Sequence, residues 1–317
     1  MTETPRPTDS HLHDVLQQIA NEAQDLFGRG EVANYIPALA EVPARRFGMA
    51  LAMVDGSSYT VGDAHTPFSL QSITKLFTFV LALKAVGEDL WTRVGREPSG
   101  AAFNSMVQLE SERGIPRNPF INAGALVVTD ILTSRYAHMD LAMLGALRRL
   151  TDDPALTWNV RIAKSERDTA HRNMALAYFM KSYGNFHNPP ELVLDNYCRQ
   201  CATEMTCTQL AQATMFLANG GVDLAKGSQP GEHVLSADAA RRVNALMLTC
   251  GAYDASGDFA YRIGLPIKTG VGGGIVAIAP GRGTISVWSP ELDAKGNSVL
   301  GAFALERLVQ LTGWNHD

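Results

Sequence analysis

Cysteine is scarce: Cys198, Cys201, Cys207 and Cys250 are the only four in 317 residues. So sparse a set in a long chain excludes a disulfide-stapled scaffold and predicts free thiols. Cys198-x-x-Cys201 lacks a second ligand pair at zinc-finger spacing. The histidines (His11, His13, His65, His138, His171, His187, His233 and His316) contain no i, i+4 pair, so no metal site is predicted. No run reaches the roughly 18 apolar residues of a membrane helix, and MTETPRPTDSHLHD at the start lacks a basic stretch followed by an apolar one. No membrane association is predicted, and the expected compartment is the cytoplasm. Basic charge is also in short supply. The balance of 27 basic against 32 acidic residues leaves −5, which offers no broad attraction for a phosphate backbone and excludes nucleic acid as a general partner. The VGGGI turn does not complete a G-x-x-x-x-G-K-[ST] loop, so no nucleotide phosphate site is expected.

What is present is the composition of a soluble globular protein, 46% hydrophobic and 19% charged, long enough to bury a substantial core. Leu12, Val15, Leu16, Ile19, Ala23 and Leu26 recur at helical spacing, with Asp9 or Ser10 placed to cap the first turn and Gly28 to end the helix. Phe47 to Val54 reads as a strand, and Asp55-Gly56 turns it into a partner at Ser58 to Val61. Helical patterns then dominate: the apolar run from Ile73 to Val86, then Ile121 to Arg135, Leu141 to Leu150, Glu166 to Tyr183, Cys207 to Leu217 and Ser236 to Leu248. Arg96 to Gly100 and Ile115 to Pro119 read as loops. Beyond Gly257 extended segments return at Ile263 to Thr269, Ile275 to Ala279 and Thr284 to Ser289, and a closing helix spans Ser298 to Leu311. Strands at both ends around a helical middle predict an α+β fold, with an antiparallel sheet built from both ends of the chain and a helical subdomain inserted between its halves. No repeat or low-complexity linker divides the chain. One domain over 1–317 is expected, its sheet part about 29–70 and 257–317 and its helical part about 71–256.

Two short motifs carry chemistry. In FSLQSITKLF, Ser72 and Lys75 stand three residues apart, so a helix puts hydroxyl and amine on one face. An amine among Ile73, Leu76, Phe77 and Phe79 is disfavoured in its charged form, and a neutral lysine can take the serine proton. In LPIKTGVGGGIVAI, a strand ending Lys268-Thr269-Gly270 runs into a glycine turn whose main-chain N–H groups no side chain shields. That turn can line the opposite wall of a pocket.

S-x-x-K early and K-T-G late resemble the serine β-lactamase and penicillin-binding superfamily. Longer stretches narrow the resemblance: NYIPALA from Asn34, PFSLQSITK from Pro67, EPSGAAFNS from Glu97, PRNPFINAGAL from Pro116, SERDTAHRN from Ser165, YCRQC from Tyr197 and CGAYDASGDFAYRIGLPIKTGVGGGIVA from Cys250. In this order, over roughly residues 12 to 312, they are similar to the serine-dependent glutaminase family. The resemblance implies a β-lactamase-like fold and cofactor-free hydrolysis of L-glutamine to L-glutamate and ammonia through a glutamyl-serine intermediate. It makes Ser72 the nucleophile and Lys75 its base, with the N–H groups of Ser72 and Val271 as oxyanion donors. Tyr35, Gln71, Asn122, Glu166, Asn173, Tyr197 and Tyr253 become substrate contacts, Tyr253 also relaying a proton to the departing ammonia. Homodimers or tetramers are the assembly it implies. Thr269 stands where many family members carry serine, and Lys268 has no assigned part beyond holding the Ser72–Lys75 pair. The shared short motifs leave two alternatives: a penicillin-binding or β-lactamase-like acyl hydrolase, and a glutamine sensor without turnover.

Overall fold

The alternating pattern of residues 47–54 and the turn after it produce β1 (Gly48–Met53) and β2 (Ser58–Gly62), antiparallel with Ala50 opposite Thr60. A short β3 (Phe68–Ser69) pairs with β4 (Glu204–Met205). Then β5 (Ile267–Thr269), β6 (Gly274–Ala279) and β7 (Gly283–Trp288) complete a large sheet of order β2-β1-β7-β6-β5. All its neighbouring pairs are antiparallel, and the two halves of the chain meet where Ala50 lies opposite Ser286. This is a computed structural model that describes residues 9–100, 105–225, 229 and 231–315. EPSGAAFNS lies partly outside the described residues, as do His316 and the side chains expected to cap the first helix.

In chain order the helices are α1 (Asp9–Ala23), α2 (Thr74–Val86), α3 (Val107–Ser111), α4 (Asn122–Arg135), α5 (Met139–Thr151) and α6 (Val160–Thr169). They continue as α7 (His171–Ser182), α8 (Pro190–Cys201), α9 (Cys207–Ala218), α10 (Ala237–Cys250), α11 (Ser256–Arg262) and α12 (Val299–Thr312). The strand period of two sorts the sheet residues between two cores. Met49, Leu51, Ile275, Ala277, Ile285 and Val287 pack with α1 and α12, whereas Ala50, Val276, Ile278 and Trp288 join the core of the helical part. With both faces covered, β6 and β7 are buried at every residue, which is why they read as nearly unbroken apolar runs. The fold is α+β, with the helical part inserted between strands from the two ends of the chain, as expected.

Three local expectations are corrected. The expected helix from Glu166 to Tyr183 is two helices, because the Asn159 side chain caps α6 early, accepting from the N–H groups of Arg161 and Ile162, and Ala170 breaks the run before α7. α8 was not anticipated. Asp130, wholly buried, anchors its approach, accepting from Arg93 Nη2 (2.6 Å), from the His187 and Asn188 N–H groups and from the Asn188 amide. Finally, residues from Ser256 to Arg262 are helical rather than extended, with Phe259 and Ile263 buried one turn apart and an Asp258–Arg262 pair at 3.0 Å. The strand expected from Ile263 begins only at Ile267, after Gly264 turns the chain with φ +73°.

Candidate active site

Ser72 sits at the junction of the two parts of the molecule. Before it, Leu70 N–H donates to Thr203 O (2.9 Å) beside the β3–β4 pair, so the segment is fixed against the end of α8. After it, a turn of 3-10 helix over Gln71–Ile73 feeds α2, whose first residues are buried throughout. Gln71 takes a left-handed backbone, φ 50°, which costs a residue with a side chain about 1 kcal/mol. Its amide donates to Ser69 Oγ (3.0 Å), which donates to Cys201 O (3.0 Å), so the neighbour of Ser72 is held from both sides.

The glycine turn lies against this segment with no room to spare. A Cβ on Gly272 would come within 2.1 Å of Ser69 O, and one on Gly270 within 2.4 Å of Leu70 O and 3.3 Å of Ser72 N. Trp288 Nε1 holds Gly272 O at 3.0 Å while its ring stacks on Phe68 at 5.3 Å. Among the described residues no acceptor is assigned to the Val271 N–H, and Val271 lines the same cavity as Ser72.

Lys75 is 2% exposed on the first turn of α2. Its ammonium donates to Asn122 Oδ1 (2.6 Å) at the start of α4 and to Phe120 O (3.4 Å), and stands 5.9 Å from the Tyr197 ring centre. The described hydrogen bonds of Lys75 run to these partners rather than to Ser72, whose hydroxyl lies near that of Tyr253 and opposes the upward push of burial on it. Burial lowers the lysine to about 8, against the pull of the Cys201 thiol and Glu166. Tyr253 also has a left-handed backbone, φ 56°, and burial raises its hydroxyl to about 12. Lys268, completely buried, donates to Thr269 O (2.7 Å) and Gly251 O (3.2 Å) and lies 4.8 Å from the Tyr253 ring centre. Burial and the neighbouring Lys75 both push its ammonium well below the ordinary lysine value.

Tyr35, Gln71, Ser72, Asn122, Glu166, Asn173, Tyr197 and Val271, all singled out from the sequence, line one cavity of about 210 Å³. Tyr253 contacts Ser72 and packs with Tyr35's neighbour Ile36 and with Val271 in one apolar cluster. Asn122 Nδ2 donates to Asn173 Oδ1 (2.9 Å), linking α4 to α7. Glu166 is 6% exposed, one of its carboxylate oxygens has no hydrogen-bond partner among the described residues, and burial raises it to about 7 despite Cys201, Gln71 and Lys75 nearby. Ile36, Thr169, Ala170 and Arg172 complete the lining and were not singled out. Thr169, Ala170 and Arg172 fall inside SERDTAHRN, but a continuous helix there hides their common orientation. All four cysteines are free and buried, and no group of three potential metal ligands forms among the described residues.

The architecture is that of solved glutaminases. A structure of the probable glutaminase ybaS aligns with TM-score 0.87 at 36% identity, covering 95% of this chain and 98% of that one. Mglu in its glutamate form aligns with TM-score 0.89 at 36% identity, covering 96% of this chain and 69% of that one. The glutaminase of Paraburkholderia phytofirmans is 56% identical over 299 residues, 94% of this chain and 97% of that protein. That of Rhizobium rhizogenes is 54% identical over 308 residues, 96% and 98% of the two lengths. The Glutaminase family model matches residues 30–316. The chain belongs to the glutaminase family.

Proposed function

We propose that this chain, as a single catalytic domain, hydrolyses the side-chain amide of L-glutamine to L-glutamate and ammonia through a glutamyl ester on Ser72. The observation that carries this reading is the convergence of Ser72, the Gly270–Gly273 turn and the buried Glu166 carboxyl on one cavity of amino-acid scale. Neutral Lys75, accessible near its lowered value of about 8, takes the Ser72 proton, and Oγ attacks the amide carbon. The N–H groups of Ser72 and Val271 receive the negative charge that forms on the carbonyl oxygen. As the C–N bond breaks, the nitrogen leaves as ammonia with a proton delivered through Tyr253, whose raised value keeps it a donor at neutral pH. Water then attacks the ester carbon and Ser72 regains its proton. Ionised Glu166 pairs with the substrate α-ammonium, and Tyr35, Asn122, Asn173 and Tyr197 hold its polar groups.

Substitution of Ser72→Ala abolishes ammonia release on this reading. An electrophilic glutamine analogue adds one mass increment to the unaltered protein, located on Ser72 by peptide mapping. Full activity in the alanine variant, or an adduct elsewhere, overturns the mechanism. The reading extends to a cytoplasmic homo-oligomer, a dimer or tetramer, which cell fractionation and light scattering test. No helix among the described residues is long and apolar enough to cross a membrane.

A further inference from the structure

Two residues of opposite charge line the cavity, Glu166 and Arg172. In one continuous helix, residues six apart would point about 120° away from each other and could not face a common space. The break at Ala170 removes that constraint: Glu166 lies near the end of α6, Arg172 on the first turn of α7, and Thr169 and Ala170 between them line the same cavity. The guanidinium is not consumed by neighbouring acids. Asp168, one turn earlier, is held by Lys164 at 2.6 Å, Asp195 is shared by Arg199 at 3.0 Å and Arg167 at 3.7 Å, and Glu191 bonds Tyr178. Among the described residues no carboxylate pairs with Arg172. The other polar lining groups are neutral amides and hydroxyls, which bind a carboxylate and an amide almost alike.

We propose that Arg172 is the specificity-determining residue for the substrate's α-carboxylate, selecting free glutamine over glutamine whose carboxylate is capped or joined in a peptide bond. This rests on the glutaminase reading. The zwitterion presents its two charges on one carbon. Glu166 answers the ammonium, and Arg172, exposed at the mouth on the same wall, answers the carboxylate. The pairing strength is that of a partly solvated ion pair, about tenfold in binding.

The test compares the unaltered protein with Arg172→Gln and Arg172→Lys on L-glutamine and on its α-N-methylamide, which can release ammonia only from the side chain. In Arg172→Gln, KM for glutamine rises about tenfold while kcat stays within threefold. KM for the methylamide moves less than twofold, so the preference for glutamine falls about tenfold. Arg172→Lys retains part of that preference. Raising ionic strength weakens glutamine binding in the unaltered protein more than in Arg172→Gln. An equal loss on both substrates, or an unchanged preference in Arg172→Gln, overturns the proposal. Absence of ammonia release from glutamine by the unaltered protein overturns the glutaminase reading itself, a separate result.

Discussion

Replacing Lys75 by methionine is expected to destroy activity and stabilise the fold. A lysine that ordinarily titrates at 10.5 and is held at about 8 makes the native state less favourable by about 3 kcal/mol at pH 7, at about 1.4 kcal/mol per tenfold change in proton affinity. The sign follows from the direction of the shift. The unfolded chain binds the proton more tightly, so the penalty is complete below about pH 8 and disappears as pH rises through 10.5. Methionine fills a similar volume without charge. The variant forfeits the 2.6 Å bond from the charged amine to Asn122 Oδ1, a loss of about 1.5 kcal/mol. The net gain is ~2 kcal/mol, a rise in Tm of about 3 °C for a chain of this size. Chemical denaturation of both proteins at pH 7, 9 and 10.5 provides the assay. A variant no more stable at pH 7, or one whose advantage does not shrink between pH 8 and 10.5, refutes the reasoning.

Further outcomes follow from the same geometry. With Glu166 at about 7 and Lys75 at about 8, both raised-proton forms are inactive, so kcat/KM for glutamine rises with pH through this interval; a profile flat from pH 6 to 9 refutes it. Gly272→Ala must displace the turn from Ser69 O, so kcat is expected to fall at least ~100-fold, as for loss of an oxyanion donor, in a protein with an unchanged circular dichroism spectrum. Asp130→Ala leaves Arg93 and two main-chain N–H groups without their buried acceptor and is expected to cost about 3–5 kcal/mol in urea denaturation.

Much of the fold was legible because its elements bury what their periods predict. β6 and β7 are apolar at successive positions and covered on both faces, and α1 repeats Leu12, Val15, Leu16 and Ile19 toward α12. The misreadings share a cause in tertiary structure. α8 starts at Pro190 after a loop held by Asp130, sixty residues away in sequence, so its beginning depends on a contact that no local window contains. α11 is seven residues with a glycine second, too short to persist alone, and is held by burying Phe259 and Ile263 against the sheet. The end of α6 at Ala170 carries neither proline nor glycine, so nothing in the local sequence marks it.

At the candidate site, the ordered motifs already held the residues that line the cavity, whereas the surroundings of those residues were not legible. Neither Gln71 nor Tyr253 is a residue that advertises a left-handed backbone, yet both adopt it, Gln71 next to Ser72 in the chain and Tyr253 near it in space. Nor does spacing reveal that the Lys75 ammonium donates to Asn122 and Phe120 while the Ser72 hydroxyl lies near Tyr253. These departures are concentrated in one place. Two lysines and one carboxyl are buried within reach of each other, and their burial opposes the charged form of all three. An arrangement selected for stability alone would fill this volume with apolar side chains. Its retention is intelligible on the proposed function: a zwitterionic substrate would bring an ammonium to Glu166 and a carboxylate to Arg172, adding counter-charges beyond the one Lys75 supplies.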